Sequence, residues 1–529
     1  MSTGKTVEKK AAVRNSISRI VFATFAIVAE AAFLIVVVKS VSEFASWLSL
    51  IAQILAIALV LYIYGRHQSF CLKTPWIILI LLLPVLGSCL YLMVGLSGST
   101  KRMKERYREI DRRLLPRLPA QSSEMERLRE RSVGGGNLSR YLYDMAGYPV
   151  YENTDVQFYP LASIGFEALK KDLQQSSRYI FMEYHAIEDA DAFHEIEEIL
   201  VAKAEAGVEV RIFYDDLGSA TFVNKDFRRR LDEEGIQCRV FNPVTPLLNV
   251  FLDKRDHRKM TVIDGRVAYT GGWNLANEYF NITHPYGEWK DTGIRLEGDA
   301  VRSMTVMFLE MWNAMRGRRG RIDEKALQGD LDRLPQLLPE PAYRAREHGW
   351  VQPYADSPVG EEPVAENVYL SIIEQAQEYV YFVTPYLIIT DEMDRVLGLA
   401  AKRGVDVRII TPGIPDKKII YELTRSYYAA LARSGVRIFE YTPGFCHAKQ
   451  CVADGRIATC GSINLDYRSL YHHFENGCVL YDCQAVEKIR DDFETMFSRS
   501  YEVTEEYRTG RSRRRRFGQL LLRLIAPLL

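Results

Sequence analysis

Apolar positions are distributed very unevenly along this chain. Ile20–Val38 is apolar apart from Glu30, Phe44–Tyr64 is apolar apart from Gln53, and Pro75–Leu96 is apolar throughout, interrupted by Pro84 and Gly87. Each run approaches the roughly 20 residues that a helix needs to cross a ~30 Å hydrocarbon layer. None has the polar face at helical period expected of a surface helix in a soluble protein. The pattern predicts an α-helical transmembrane region over residues 1–98. A cleaved secretory signal is not expected, because the first run is long and more membrane segments follow. Lys5, Lys9, Lys10, Arg14 and Arg19 precede the runs, and Lys101, Arg102, Lys104, Arg106, Arg108, Arg112 and Arg113 follow them. Cytoplasmic flanks are rich in Lys and Arg, which places both ends inside. Three full crossings do not satisfy that, so either one segment, such as the Pro-broken third, falls short or the charge rule does not hold for this chain. The catalytic part is expected on the cytoplasmic side of the membrane. Glu30 is a candidate functional group inside an apolar run, or it faces a neighbouring helix.

Beyond a basic linker (residues 99–140) the pattern changes to short β-branched and aromatic runs separated by helical stretches, and it occurs twice. Arg178–Tyr184 matches Glu378–Thr384; Ala206–Ile212 matches Arg403–Ile409; Gly235–Phe241 matches Gly435–Phe439. Strands alternating with helices predict layered α/β domains. Two tandem copies are expected, at residues 141–320 and 348–500, joined by a linker at 321–347. Gly134-Gly135-Gly136 lacks the Lys-Ser/Thr and the preceding strand of a phosphate loop, and is read as flexible linker. The tail, residues 501–529, carries Arg508, Arg511 and Arg513 through Arg516 before Leu520-Leu521-Leu522-Arg523-Leu524-Ile525. That pattern suits an interfacial anchor on anionic lipid, or else a solvated tail.

Composition adds little. At 529 residues the chain is long enough for two or three units, and its 68 basic residues balance 68 acidic ones. The eight cysteines have neither the spacing of a disulfide framework nor a CxxC pair, and are expected as buried free thiols.

The chemistry lies in a word written twice. His257-Arg258-Lys259 is followed after four residues by Asp264 and after six more by Gly271-Gly272-Trp273-Asn274. His447-Ala448-Lys449 is followed at the same distances by Asp454 and Gly461-Ser462-Ile463-Asn464. A lone His-x-Lys on a strand is usually structural, but five loaded positions recurring at fixed spacing are not. His and Lys at alternate strand positions would share a face. Between the copies, Lys259, Lys449, Asn274 and Asn464 would cradle a phosphodiester. One imidazole would attack phosphorus while the other protonates the departing alcohol. Asp264 and Asp454 are candidate third members of the catalytic set, although each precedes Gly-Arg as a hairpin aspartate does. Glu278 and Glu475 are candidates to orient the histidines, by triad logic. No carboxylates cluster to hold Mg²⁺, so no metal and no cofactor are expected.

The doubled His-x-Lys-x4-Asp with Gly-Gly/Ser-x-Asn resembles the phospholipase D superfamily. The words Tyr214-Asp215-Asp216-x-Gly218-Ser219, Thr384-Pro385-Tyr386, Thr411-Pro412-Gly413-Ile414-Pro415-Asp416-Lys417-Lys418, Thr424-Arg425-Ser426-Tyr427-Tyr428, Glu440-Tyr441-Thr442-Pro443-Gly444-Phe445 and Asn464-Leu465-Asp466-Tyr467-Arg468-Ser469 resemble bacterial cardiolipin synthases. The likeness runs from the second apolar segment to about residue 500; the run Ile20–Val38 departs from the commoner two-segment arrangement. The resemblance implies an enzyme of the bacterial cell membrane with phosphatidylglycerol and anionic lipids as partners. It would transfer a phosphatidyl group from one phosphatidylglycerol to another through a phosphatidyl-histidine on His257, with His447 as acid and then base. The alternative is a phospholipase D-type hydrolase releasing phosphatidic acid. A nuclease is disfavoured by the apolar segments, so no nucleic-acid partner is expected, and intact motifs disfavour a non-catalytic scaffold. A homo-oligomer is left open.

Overall fold

The structure is a computed structural model. It describes residues 32, 46–66, 69–95, 98–120, 123–224, 226–243, 254–315, 321–339, 343–509, 518–519, 522–524 and 526. The expected run Ile20–Val38 with Glu30, its preceding lysines and arginines, and Arg511 and Arg513 through Arg516 lie outside the description.

The repeated strand pattern becomes two sheets of matching order. The first half contributes β1 (Thr154–Tyr159), β2 (Tyr179–Tyr184), β3 (Glu209–Asp215), β4 (Gln237–Phe241), β5 (Arg255–Asp256), β6 (Lys259–Ile263), β7 (Val267–Gly271), β8 (Glu288–Lys290) and β9 (Gly293–Gly298). The second contributes β10 (Trp350–Asp356), β11 (Tyr379–Val383), β12 (Asp406–Pro412), β13 (Arg437–Tyr441), β14 (Gly444–Cys446), β15 (Gln450–Ala453), β16 (Ile457–Gly461), β17 (His473–Tyr481) and β18 (Ser500–Glu502). One sheet runs β1-β9-β7-β6-β2-β3-β4 and the other β10-β17-β16-β15-β11-β12-β13-β18. In each, a parallel trio (β2-β3-β4; β11-β12-β13) joins an antiparallel set whose central hairpin carries the His-x-Lys word. β2, β6 and β7 are buried at every position, as strands covered on both faces are.

Two short pairings stitch the halves together. β5, just before His257, pairs parallel with β17, and β14, just before His447, pairs parallel with β8. The helix Val301–Ala314 is buried almost all round, which marks a core helix rather than a surface one. It lies against β10 of the other half, and its counterpart Gln484–Ser498 lies against β1.

Two expected linkers are ordered helix. Gly134-Gly135-Gly136 sits in the first turn of the helix Val133–Ala146. Ser132 caps it by accepting from the Gly135 N–H at 3.1 Å, and Gly135 and Gly136 are buried. A Cβ on Gly136 would stand 2.6 Å from Arg129 Cα, so these glycines serve close packing and not flexibility. The stretch around Arg321–Pro341 holds short helices at Glu324–Asp332 and Leu334–Leu337.

At the N-terminal side lie α1 (Ser46–Tyr64), α2 (Phe70–Leu82), α3 (Pro84–Gly95) and α4 (Gly98–Leu114). The expected segment Pro75–Leu96 is not one helix. Pro84 lacks an N–H and breaks it after Leu82, leaving α2 and α3 at 13 and 12 residues. Among the described residues no helix is long and apolar enough to cross a membrane. α1 nonetheless exposes Leu50, Ile51, Ile54, Leu55, Ile57 and Leu61 at 46–65%. Cys71 and Leu72 of α2 pack on the main core. α4 enters the main body, where Tyr107 stacks on Phe474 with ring centroids 4.8 Å apart. In the tail, Leu522 packs on the same core and Arg523 lies 3.9 Å from the Tyr427 ring centroid, so this part docks on the protein.

Candidate active site

Both histidines are placed by backbone of the opposite half. The His257 N–H donates to Phe474 O at 2.9 Å, and the His447 N–H donates to Lys290 O at 2.7 Å. The expectation that His and Lys share a strand is therefore corrected: His257 lies between β5 and β6, and His447 between β14 and β15. Crossing between sheets ties each imidazole to the neighbouring half.

The orienting carboxylates cross as well. His257 Nδ1 lies 2.8 and 3.0 Å from the two Glu475 oxygens. His447 Nδ1 lies 2.7 Å from Asp291 Oδ2. A carboxylate only accepts, so Nδ1 of His257 carries the proton and its Nε2 presents a lone pair, whereas Nδ1 of His447 is shared between Asp291 Oδ2 and Lys449 Nζ at 2.8 Å. Glu475 occupies the place expected of it. Glu278 does not: it stands on the turn Asn277–Phe280 with no hydrogen bond to either histidine, and Asp291 takes the role. Burial, with Glu188 and Asp416 nearby, pushes the Glu278 carboxyl up to about 7. Asp291 was legible in principle. Asp291-Thr292-Gly293 and Glu475-Asn476-Gly477 share an acid-x-Gly pattern, and their glycines pair with the motif glycines Gly271 and Gly461.

The small second position of each Gly-small-x-Asn word explains itself here. A Cβ on Gly272 would stand 2.0 Å from Asp291 Oδ1, so only glycine admits that carboxylate. At the equivalent place Ser462 Oγ donates to Glu475 Oε2 at 2.5 Å.

Lys259 Nζ donates to the His257 carbonyl at 2.5 Å, and Lys449 Nζ donates to the His447 carbonyl. Burial pushes Lys259 down to about 7 and Lys449 down to about 8. Burial and the two lysines also hold His257 well below its ordinary value. Burial and Lys449 push His447 down to about 3 against the pull of Asp291. Both imidazoles are thus held neutral beside the two lysines.

Asn274 accepts from the Ala186 N–H at 3.1 Å and donates to Tyr279 OH at 2.7 Å. Asn464 donates to Asp466 at 3.3 Å, and its buried Oδ1 has no hydrogen bond among the described residues. Asp264 and Asp454 are corrected as catalytic candidates. Asp264 accepts from the N–H groups of Ser177, Arg178 and Tyr179 (2.8–2.9 Å), and Asp454 from those of Gln377, Glu378 and Tyr379 (2.8–2.9 Å). Each sits at the hairpin tip, roughly 16 Å along the strand from its lysine, at φ 55° and 53°. They tie the hairpin to the start of the neighbouring strand.

Other groups carry no sequence signal beyond the family words. Asp215 accepts from Arg255 Nη2 at 2.7 Å and from the Asp256 N–H at 3.1 Å, fixing the approach to His257. Buried Arg258 donates to Glu475 O at 3.2 Å. His185 and His473 pack on His257, and Tyr279, Trp289 and Phe445 on His447. Two trios could be read as metal-ligating: His257, His473 and Glu475, and Asp189, His194 and Glu197. In the second, Arg230 already pairs with both carboxylates at 2.9 and 2.8 Å.

Residues 169–312 and 369–497 match a family model described as "Cardiolipin synthase, PLD-like domain". These two stretches take in both His-x-Lys words with Asp291 and Glu475. The chain belongs to the phospholipase D-like cardiolipin synthase family. Residues 54–95 match a second family model, "Phospholipase_D-nuclease N-terminal", over α1, α2 and α3. Among relatives, the chain is 31% identical over 474 residues to "Cardiolipin synthase 2" of Bacillus cereus, covering 89% of each chain. It is 29% identical over 496 residues to "Cardiolipin synthase" of Listeria welshimeri, covering 91% of this chain and 100% of that one. An "Uncharacterized protein" of Streptococcus mutans is 39% identical over 470 residues, covering 89% and 99%. Phosphatidylserine synthase of Haemophilus influenzae superposes with a TM-score of 0.55 at 15% identity, over 74% of this chain and 99% of that one, which is a likeness of fold.

Proposed function

We propose that this protein is a cardiolipin synthase that transfers a phosphatidyl group from one phosphatidylglycerol to a second, releasing glycerol. The observation that carries the reading is the crossed pair of histidine–carboxylate contacts, each imidazole buried beside a lysine between two halves of one family fold. His257 Nε2 attacks phosphorus and forms the N–P bond. The P–O bond to glycerol breaks, and His447, which gains a proton once the anionic phosphodiester offsets the neighbouring lysines, gives that proton to the departing oxygen. His447, now neutral, takes the proton of a hydroxyl on the second phosphatidylglycerol. That oxygen then bonds to phosphorus as the N–P bond breaks, and cardiolipin leaves. Lys259, Lys449 and Asn464 supply positive charge and donors to the non-bridging oxygens. Glu475 and Asp291 stabilise each imidazole as it gains positive character.

The exposed apolar side chains of α1 and the basic helix α4 support attachment to a bilayer, with the catalytic halves on the cytoplasmic side. Confinement of donor and acceptor lipids to one plane favours a two-lipid reaction.

The test is to add purified full-length protein to vesicles of phosphatidylglycerol and read the products by mass spectrometry. Cardiolipin with stoichiometric glycerol is expected. Phosphatidic acid without cardiolipin would replace transfer by hydrolysis, with water as the acceptor.

A further inference from the structure

His473 is the least explained group at the site. It is only 8% exposed, and among the described residues neither ring nitrogen has a hydrogen-bond partner. A buried imidazole left so is costly, and an orphan of this kind often marks a missing water or ion. A single π turn over Arg468–His472 sets its position at the start of β17, an irregularity common at functional sites. Its Nδ1 lies 3.7 Å from Glu475 Oε1, and its ring centroid lies 5.3 Å from that of His257. Ligand atoms of His257, His473 and Glu475 all fall within 4.8 Å of one another.

We propose that His257, His473 and Glu475 form a three-ligand site for a divalent transition-metal ion such as Zn²⁺, and that its occupation switches the enzyme off. Two imidazoles and one carboxylate with an open fourth position are a common zinc donor set. Bonds of about 2.0–2.1 Å give ligand separations near 3.3 Å, so His473 must swing inward by roughly 1 Å. Lys259, bonded to the His257 carbonyl, opposes any cation. The site therefore favours ions with strong imidazole bonds over Mg²⁺ or Ca²⁺.

Inhibition follows from the tautomer. In the free site the His257 ring proton is on Nδ1, held by Glu475, and Nε2 carries the lone pair. Metal at Nδ1 moves that proton to Nε2 without net release, and a protonated Nε2 has no electron pair for phosphorus. The same ion claims the Glu475 oxygens.

The test uses Co²⁺ and Zn²⁺ alone with full-length protein in detergent. Co²⁺ is expected to give visible d–d bands that saturate at one ion per chain and that Zn²⁺ displaces. His473→Gln and His473→Asn are each expected to weaken Co²⁺ binding at least tenfold. Zn²⁺ is expected to cut phosphatidylglycerol turnover at least tenfold in the wild type and EDTA to restore it. Each variant, compared with its own zinc-free rate, should lose that sensitivity. Absence of saturable bands in the folded wild type overturns the proposal, as does unchanged binding in either folded variant. Should both variants fail to fold, X-ray absorption of the zinc-loaded wild type decides, and fewer than two imidazoles on the metal overturns it. The inhibition arm rests on the proposed phosphatidyl transfer and the spectroscopic arm does not, so the two can fail separately.

Discussion

Around His257 the orienting carboxylate is a glutamate held by Ser462, and the neighbouring rings are the imidazoles of His185 and His473, with centroids at 4.9 and 5.3 Å. Around His447 it is an aspartate lodged against Gly272, and the neighbouring rings belong to Tyr279, Trp289 and Phe445, at 5.2, 5.3 and 5.8 Å. The atoms proposed for the chemistry are the same on both sides: imidazole, carboxylate on Nδ1, lysine two residues on. What surrounds them has diverged. The two halves thus share a reaction requirement and differ in how each imidazole is packed. Since each carboxylate comes from the opposite half, neither half holds a complete site.

The hardest blow to this comparison is removal of either imidazole. His257→Ala and His447→Ala are each expected to cut turnover at least about 10³-fold with circular dichroism unchanged. Detergent-denatured His447→Ala protein, kept at neutral pH, should carry phosphatidyl on His257; label on His447 in the His257→Ala protein instead would reverse the assigned roles. Next come the carboxylates. Glu475→Gln and Asp291→Asn keep size but offer an amide to Nδ1, and each should lower turnover about 10²–10⁴-fold. Glu278→Gln is expected to stay within a few-fold of wild type, and a loss as deep as that of Asp291→Asn would restore the glutamate to the orienting role.

A finer contrast lies at the paired small residues. Gly272→Ser drives a Cβ into Asp291 and should cost more turnover than Ser462→Ala. The latter removes one donor to Glu475, worth about 1–2 kcal/mol, or roughly tenfold. Equal effects would mean the two surroundings are interchangeable. The smallest effect is on stability against pH. His447 is ordinarily at 6.5 and lies at about 3 in the folded protein. Between those values the unfolded chain binds the proton first. This contribution is intact above 6.5 and is lost as the pH falls towards 3. Thermal melts from pH 7 to pH 4 should fall less steeply for His447→Gln than for wild type, and parallel curves would remove the buried neutral imidazole from the account.

Much of this was readable along the chain. The α/β repeat and both histidine–lysine pairs follow from strand-period apolar runs and from one word at fixed spacing, whereas triad logic points to Glu475 and Glu278 alike. The hairpin aspartates show where reading by motif goes astray. Asp264 and Asp454 recur as faithfully as the histidines, yet they satisfy backbone N–H groups at the far end of the strand. A buried structural bond constrains a residue as tightly as catalysis does. Gly134-Gly135-Gly136 misleads in the opposite sense, because a helix crossing that needs bare backbone looks like a linker by composition.

Sequence alone determined the duplicated fold and the inventory of reactive groups, because strand periodicity and motif spacing are local properties of the chain. Only the tertiary structure decided the partners. The pairing of β5 with β17 and of β14 with β8 carries each histidine to a carboxylate in the other half, and sends Glu278 elsewhere. Such contacts depend on which surfaces bury against each other, and spacing within one copy carries no record of a bond made across two.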